Sequence, residues 1–250
     1  MKLAKSILKK FTPIFQNTSF FMQGQMDINP KSRWTNRELQ QETGGFYPKD
    51  SSLKRTINNL EAWDNTRRDM ITLMLRTLID KKIEGSMAEL GVYKGNTSKL
   101  IHNYMPERSF HLFDTFEGFT DRSVTAEKGH TEFETKGSKF SDTSLEKVRA
   151  HIAPQNDNVH FHKGYFPDSL PDDFPEQKFA FVHLDADLYE PTFEGLKYFY
   201  ERMSKKGIIL VHDYNAWIGA RKAVDDFFAD KPELPVPMPD KSGSVLITKQ

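Results

Sequence analysis

Residues 87–100 read MAELGVYKGNTSKL. A short apolar run, Met87–Leu90, opens into a turn carrying Gly91 and Gly95, and a helical stretch follows at roughly 95–104. Glycine serves where backbone takes a positive φ or lies close against a ligand. The start of the following helix offers unpaired N–H groups. In a doubly wound sheet, ligands bind beyond the C-terminal ends of the strands. The E-x-G-x-x-x-G pattern is therefore a candidate ligand turn, with Glu89, Gly91, Tyr93, Gly95, Asn96 and Thr97 as its contacts. Taken alone the pattern is weak, since a glycine after a strand more often only tightens a turn.

The rest of the chain supplies the sheet around it. Further apolar runs fall at Phe110–Phe113, Val159–His162, Phe179–Leu184, Gly207–Val211 and Val245–Thr248, with helical stretches near 141–153, 192–203 and 218–229. Strands alternating with helices predict an α/β fold with a mostly parallel sheet covered on both faces. Apolar residues at spacings of three and four predict one or two helices over Leu53–Asp80. Residues 16–52 read as loops and turns, 120–140 as an insertion or mobile loop, and 231–243 as a connector before the last strand. The expected division is an N-terminal helical and loop extension over 1–80 and a ligand-binding domain over 81–250.

Bulk composition mainly excludes. The chain has 250 residues, enough for a sizeable core. Lys plus Arg and Asp plus Glu each total 35, so zero net charge gives no push toward nucleic acid. The absence of cysteine removes disulfides, thiolate metal sites and cysteine nucleophiles, and fits a cytoplasmic protein. No apolar stretch approaches the ~18 residues of a membrane span. Residues 1–15, MKLAKSILKKFTPIF, carry four lysines and no acid, with apolar residues at helical spacing. They read as a basic amphipathic helix. It packs on its own domain or on a second subunit of a homo-oligomer, or touches a membrane surface.

The second strand ends in Asp114-Thr115, 25 residues after Glu89. A carboxylate there commonly binds ribose hydroxyls, which suits NAD and S-adenosylmethionine alike. Glu89 discriminates between them. It stands where G-x-G-x-x-G has its first glycine, where a carboxylate would repel a pyrophosphate and attract the ammonium of S-adenosylmethionine.

Residues 182–192, VHLDADLYEPT, end an apolar run in Asp185 and Asp187. The next run ends in His212-Asp213. Neighbouring strands lie ~4.8 Å apart, so Asp187, His212 and Asp213 are expected to meet. Clustered carboxylates call for a proton or a cation. Two carboxylates and an imidazole suit Mg²⁺ or Mn²⁺ with positions left open. Asp185 would cap the next helix or bind the cofactor's amine. His183 is read as packing.

These stretches together resemble the macrocin-type O-methyltransferases, which methylate sugar hydroxyls on antibiotics and related glycosides. The carriers are ELGVYKGNTSKL (89–100), FDTFEGF (113–119), DTSLEKVRAHI (142–152), FHKGYFPDSLP (161–171), LDADLYEPT (184–192) and VHDYNAWIGARKAVDDFF (211–228). The resemblance implies a Rossmann-like class I methyltransferase with a mostly parallel seven-stranded sheet, S-adenosylmethionine and usually Mg²⁺. It places Glu89, Gly91 and Tyr93 by the methionine part and Asp114 on the ribose. It places Phe116, Glu117, Ser144, Tyr165 and Phe166 around the adenosine. Asp187 and Asp213 match metal-binding acids, and Asp187 is also the implied base. The family usually has two adjacent acids where this chain has His212-Asp213.

The expected chemistry is methyl transfer to a hydroxyl of a small molecule or glycan. Asp187 or His212 would serve as base. Trp34, Phe46, Tyr47 and the 120–140 loop, including His130, are candidate acceptor contacts. A small-phenol O-methyltransferase and a non-catalytic adenosyl-ligand scaffold remain open alternatives.

Overall fold

The structure, a computed structural model, describes residues 64–131, 139–152 and 158–250. The chain divides into two compact units, Met1–Arg55 and Thr56–Gln250, and every described residue lies in the second. The basic segment 1–15 and the candidates Trp34, Phe46 and Tyr47 lie outside the described residues. Among the described residues no helix is long and apolar enough to cross a membrane.

Helix α1, Asn65–Asp80, begins at Asp64, whose side chain accepts a hydrogen bond from the Arg67 N–H at 3.1 Å. An aspartate in this position satisfies one of the unpaired N–H groups of a helix start. Ile71, Leu75 and Leu78 recur at helical spacing and are fully or almost fully buried. Arg67 sits one turn earlier on the same stripe, and is buried too.

Strands β1 (Ser86–Leu90), β2 (Phe110–Asp114), β3 (Val159–Lys163), β4 (Phe179–Leu184), β5 (Met203–Val211), β6 (Val236–Pro237) and β7 (Val245–Thr248) form one sheet in the order β3-β2-β1-β4-β5-β7-β6. The first five pair in parallel, while β7 runs antiparallel to β5 and β6. Between them lie α2 (Asn96–Tyr104), α3 (Asp121–His130), α4 (Leu145–Ile152), α5 (Tyr189–Tyr200) and α6 (Ile218–Phe228). All six residues of β4 are buried, which is why its sequence is a continuous apolar run rather than an alternation. Phe113, Phe179 and Phe199 pack edge to face within this core. Burying each such ring contributes roughly 2–3 kcal/mol.

The seven-stranded, mostly parallel sheet agrees with the expected fold. Two segments differ. Residues 120–140 are not simply a loop: Thr120 caps α3 by accepting from the Ser123 N–H at 3.1 Å, with the Ser123 hydroxyl answering the Thr120 N–H. This capping box uses serine where glutamate is usual. β5 starts at Met203, four residues before the run expected from Gly207. Met203 is buried, but the next three residues, Ser204, Lys205 and Lys206, lie outside the buried centre.

The strand order places the topological switch between β1 and β4. The chain builds outward through β2 and β3, then crosses back to lay β4 on the other side of β1. The C-terminal ends of β1 and β4 therefore flank the crevice where such folds bind ligands.

Candidate active site

A cleft of about 560 Å³ opens at this crevice. That is within the size range of small-molecule sites. The backbone narrows sharply here. A Cβ placed on Gly91, at φ +89°, would lie 2.1 Å from the Asp185 carbonyl oxygen. The Asp185 N–H donates to the Leu90 carbonyl at 2.7 Å, so the exits of β1 and β4 touch directly. Only glycine fits that contact.

Four strand exits then pass through left-handed backbone at residues other than glycine. These are Tyr93 after β1 (φ 51°), Phe116 after β2 (φ 55°), Asp187 after β4 (φ 62°) and Asp213 after β5 (φ 59°). Such conformations cost about 1–3 kcal/mol each and collect at functional sites. Asp114 fixes two of these turns. Its carboxylate accepts from the Val92 N–H at 2.6 Å, the Tyr93 N–H at 2.9 Å and the Phe116 N–H at 2.5 Å.

The cleft is lined by Glu89, Gly91, Tyr93, Asn96, Thr97, Asp114, Thr115, Tyr165, Phe166, Asp185, Asp187, His212 and Asp213, all expected from the sequence. Gly95, Phe116, Glu117 and Ser144 do not line it. Gly95 caps α2 at φ +79°, and a Cβ there would meet Ile152. The Phe116 ring is buried near Phe161. Glu117 pairs with Lys163 at the surface. The Ser144 hydroxyl sits at the start of α4, 3.4 Å from the Lys147 N–H.

A chain of buried polar groups runs across the cleft floor. Ser98 donates to Glu89 Oε2, and His183 Nδ1 lies 2.9 Å from Glu89 Oε1. His183 Nε2 lies 3.3 Å from an Arg67 nitrogen, and the same nitrogen donates to Asp185 Oδ2 at 2.6 Å. Asp185 Oδ1 is 2.8 Å from His212 Nδ1, which is 3.1 Å from Asp213 Oδ2. Asp213 in turn hydrogen-bonds Asp187. His183 is therefore not mere packing, as the sequence reading had it. It pairs in register with Glu89, and two-residue alternation puts Asp185 on the same face. Arg67, contributed by α1, was missed altogether.

The expected triad of Asp187, His212 and Asp213 also changes. Among the described residues, Asp185, His212 and Asp213 bring ligand atoms within 4.8 Å of one another. Asp187 stands beside them as the hydrogen-bond partner of Asp213.

Charge explains how the cluster is held. Burial alone would push His212 down, but the Asp185 carboxylate and the hydrogen bonds to Asp185 and Asp213 raise it to about 9. Burial would likewise raise Asp185, yet His212 and Arg67 hold it well below the usual carboxylate range. Asp187 is pushed well above that range by its burial, by the hydrogen bond to Asp213 and by the nearby Asp185 charge. Burial would raise Asp213 as well, but its bonds to His212 and Asp187 keep it low. Of this pair Asp187 is therefore the one that more readily holds a proton and Asp213 the one that more readily ionises.

This donor set fits a divalent cation. Asp185 Oδ1, His212 Nδ1 and Asp213 Oδ2 are separated by 2.8 and 3.1 Å along the chain of contacts. Adjacent ligands of an octahedral ion with ~2.1 Å bonds lie about 3.0 Å apart. The imidazole favours Mn²⁺ and its neighbours over Mg²⁺. The cleft fits S-adenosylmethionine, with a buried carboxylate at Glu89 on one side and aromatic rings at Tyr165 and Phe166 on the other.

Beyond the acids, Phe119, Phe140 and Trp217 form an aromatic wall with edge-to-face contacts at 5.4 and 5.9 Å. Lys139 Nζ lies 3.9 Å from the centre of the Trp217 ring. His130 stacks on Tyr189 and does not line the cleft.

Comparison with known proteins identifies the family. The sequence model of the family Macrocin-O-methyltransferase (TylF) matches residues 61–243. A Streptomyces olivaceus protein, 8-demethyl-8-(2,3-dimethoxy-alpha-L-rhamnosyl)-tetracenomycin-C 4'-O-methyltransferase, is 29% identical over 70% of this chain and 68% of its own length. The demethyldecarbamoylnovobiocin O-methyltransferase of Streptomyces niveus is 26% identical over 78% of this chain and 74% of its own length. The solved structure of the O-methyltransferase NovP superposes with a TM-score of 0.61 at 20% identity, covering 96% of this chain and 99% of that one. The chain belongs to the macrocin O-methyltransferase family and is an S-adenosylmethionine-dependent O-methyltransferase.

Proposed function

We propose that this enzyme methylates a sugar hydroxyl, on a glycosylated natural product or a nucleotide-linked sugar, with assistance from a divalent ion. The observation that carries this reading is the meeting of Asp187 and Asp213 with Asp185 and His212 in the same cleft as Glu89 and Asp114. The rhamnosyl group in the name of the Streptomyces olivaceus relative supports the choice of acceptor.

S-adenosylmethionine supplies a methyl group already activated by its sulfonium, so the difficulty lies with the acceptor. A sugar hydroxyl attacks well only as its proton leaves. Asp187 is the base. It acts in its ionised form, reached when the proton it holds at rest passes to solvent before the acceptor binds; its burial beside Asp213 then favours taking up the proton that leaves the acceptor hydroxyl. Asp213 orients Asp187 through the hydrogen bond between them whenever Asp187 holds a proton. His212 and Arg67 hold Asp185 toward its ionised form, and the bonds to His212 and Asp187 do the same for Asp213. A divalent ion held by Asp185, His212 and Asp213 would supply positive charge to stabilise developing alkoxide character.

Glu89 attracts the cofactor's ammonium, and Asp114 presents a carboxylate to the ribose. Phe119, Phe140 and Trp217 offer apolar faces to the sugar ring and exclude water. Holding oxygen, carbon and sulfur in line supplies about 7–11 kcal/mol of the barrier reduction.

The test is methyl transfer from labelled S-adenosylmethionine to rhamnosyl glycosides, nucleotide-linked deoxysugars and catechol. Labelling of a sugar hydroxyl is expected. Asp187→Asn should lower kcat by about 10²–10⁴-fold while S-adenosylhomocysteine still binds. Methylation of catechol alone, or a fully active Asp187→Asn, contradicts the proposal.

A further inference from the structure

His212 turns Nδ1 to Asp185 and Asp213. Its other ring nitrogen, Nε2, is buried and has no hydrogen-bond partner among the described residues. The nearest acid to it is Asp240, whose Oδ2 is 3.7 Å away and whose side chain is fully buried. Asp240 lies in the turn before β7, outside every motif that pointed to the site. Its Oδ1 accepts from the Ser244 N–H at 2.6 Å and its Oδ2 from the Ser244 hydroxyl at 2.7 Å. The turn itself is pinned to the start of α1, where Asp64 Oδ2 accepts from the Lys241 N–H at 3.1 Å.

We propose that Asp240 is a positioning residue for His212: it holds the ring's Nε2–H, so that Nδ1 is the ring atom presented to Asp185 and Asp213. A carboxylate oxygen accepts more than one hydrogen bond, so Oδ2 takes the Nε2–H beside that of Ser244 with a shift of under about 1 Å. The arrangement decides which nitrogen exchanges its partner. Nε2 keeps its hydrogen facing Asp240. Nδ1 carries either a proton, donated to Asp185 and Asp213, or a cation in that proton's place. Histidines that ligate metals are commonly fixed in this way, by a carboxylate on the far ring nitrogen. The pairing is special to a chain with histidine at 212, because an acid there would face Asp240 with like charge. The consequence for catalysis rests on the methyl-transfer reading; the orientation of the ring does not.

The experiment uses the full chain with ¹⁵N-labelled histidine. Ring ¹H and ¹⁵N signals of His212 are recorded in chelator at pH 7, below the value of about 9 to which the fold raises the ring. Affinities for Mn²⁺ alone and for S-adenosylhomocysteine are measured by calorimetry. In the parent both ring nitrogens should carry hydrogen, and the Nε2–H should give a slowly exchanging signal bonded to Asp240. Asp240→Asn removes the charge that this hydrogen faces, so the slow signal should be lost and Mn²⁺ affinity should fall by about 10–100-fold, with S-adenosylhomocysteine binding unchanged. Ser244→Ala leaves the Asp240 charge in place and should keep both the parent Nε2–H signal and the parent Mn²⁺ affinity. A parent Nε2 that carries no hydrogen, or one whose hydrogen exchanges freely, overturns the proposal, even should Asp240→Asn fail to fold. So does an Asp240→Asn ring identical to the parent's, or an equal loss of Mn²⁺ affinity in Ser244→Ala. Should the parent take no Mn²⁺, the ring shifts decide alone, whatever becomes of the methyl-transfer reading.

Discussion

Raising the pH in the presence of a chelator should strip away stability that His212 supplies. Its ordinary value is 6.5, and the fold raises it to about 9. A group with a raised folded value stabilises fully below its unfolded value, and that stability is lost as pH rises through the folded one. The window is therefore pH 6.5 to 9. Each unit is worth 1.36 kcal/mol, so a shift of roughly 2.5 units amounts to about 3 kcal/mol. For a domain of this size that is a fall in Tm of about 6–12 °C. Asp187 is raised as well and adds a loss in the same direction. For that reason the quantity to follow is the parent's stability minus that of His212→Asn, by urea unfolding at half-unit steps from pH 6 to 10. The difference should shrink by about 3 kcal/mol across the window. A difference that stays level would mean that the cluster does not hold His212 as an imidazolium.

Three further outcomes are expected. Arg67→Met removes the buried partner of Asp185, and should lower unfolding free energy by about 3–5 kcal/mol; a loss below about 1 kcal/mol would place the Asp185 charge on His212 alone. Gly91→Ala drives a Cβ into the Asp185 backbone at positive φ. It should destabilise by roughly 3 kcal/mol or more and weaken S-adenosylhomocysteine binding at least tenfold by calorimetry; parent-like binding would contradict the close approach. Trp217→Ala removes part of the aromatic wall on the acid side. Steady-state kinetics should show acceptor KM raised about tenfold, as suits the loss of roughly 1.4 kcal/mol, with cofactor KM unchanged.

Much of this was legible in the sequence because the fold repeats one physical unit. A buried parallel strand must be apolar throughout, and the chain must turn at its end, so Met87–Leu90 followed by Gly91, and Phe179–Leu184 followed by Asp185, marked strand ends and site together. What failed did so where the strand pattern stops. Asp185 and Asp187 share a face only if β4 continues past Leu184. Instead Asp187 leaves at φ 62°, so Asp185 joins His212 and Asp213 while Asp187 approaches Asp213 separately. Phe116 and Glu117 were placed beside the cleft, but the left-handed turn at Phe116 sends that ring into the core.

Other misses had signals in the chain. Alternation from Asp185 assigns His183 to the site face. Arg67 stands one turn before Ile71, Leu75 and Leu78 on an otherwise apolar stripe, and a charge there asks for a buried partner. No local pattern names that partner, which comes from a strand more than a hundred residues away. Asp240 is less visible still. It lies in a proline-rich turn, and only the return of Ser244 onto its carboxylate shows that it faces His212.

The central claim is that the acids at the ends of β4 and β5 stand beside the reacting methyl group. A crystal structure of the full chain with S-adenosylhomocysteine and Mn²⁺ tests it most directly. The methionine end should lie against Glu89 and the ribose against Asp114. The sulfur should face the Asp187–Asp213 pair, leaving room for an acceptor oxygen about 3–3.5 Å from the methyl position. A sulfur turned to solvent, or one separated from Asp187 by intervening side chains, would contradict the account.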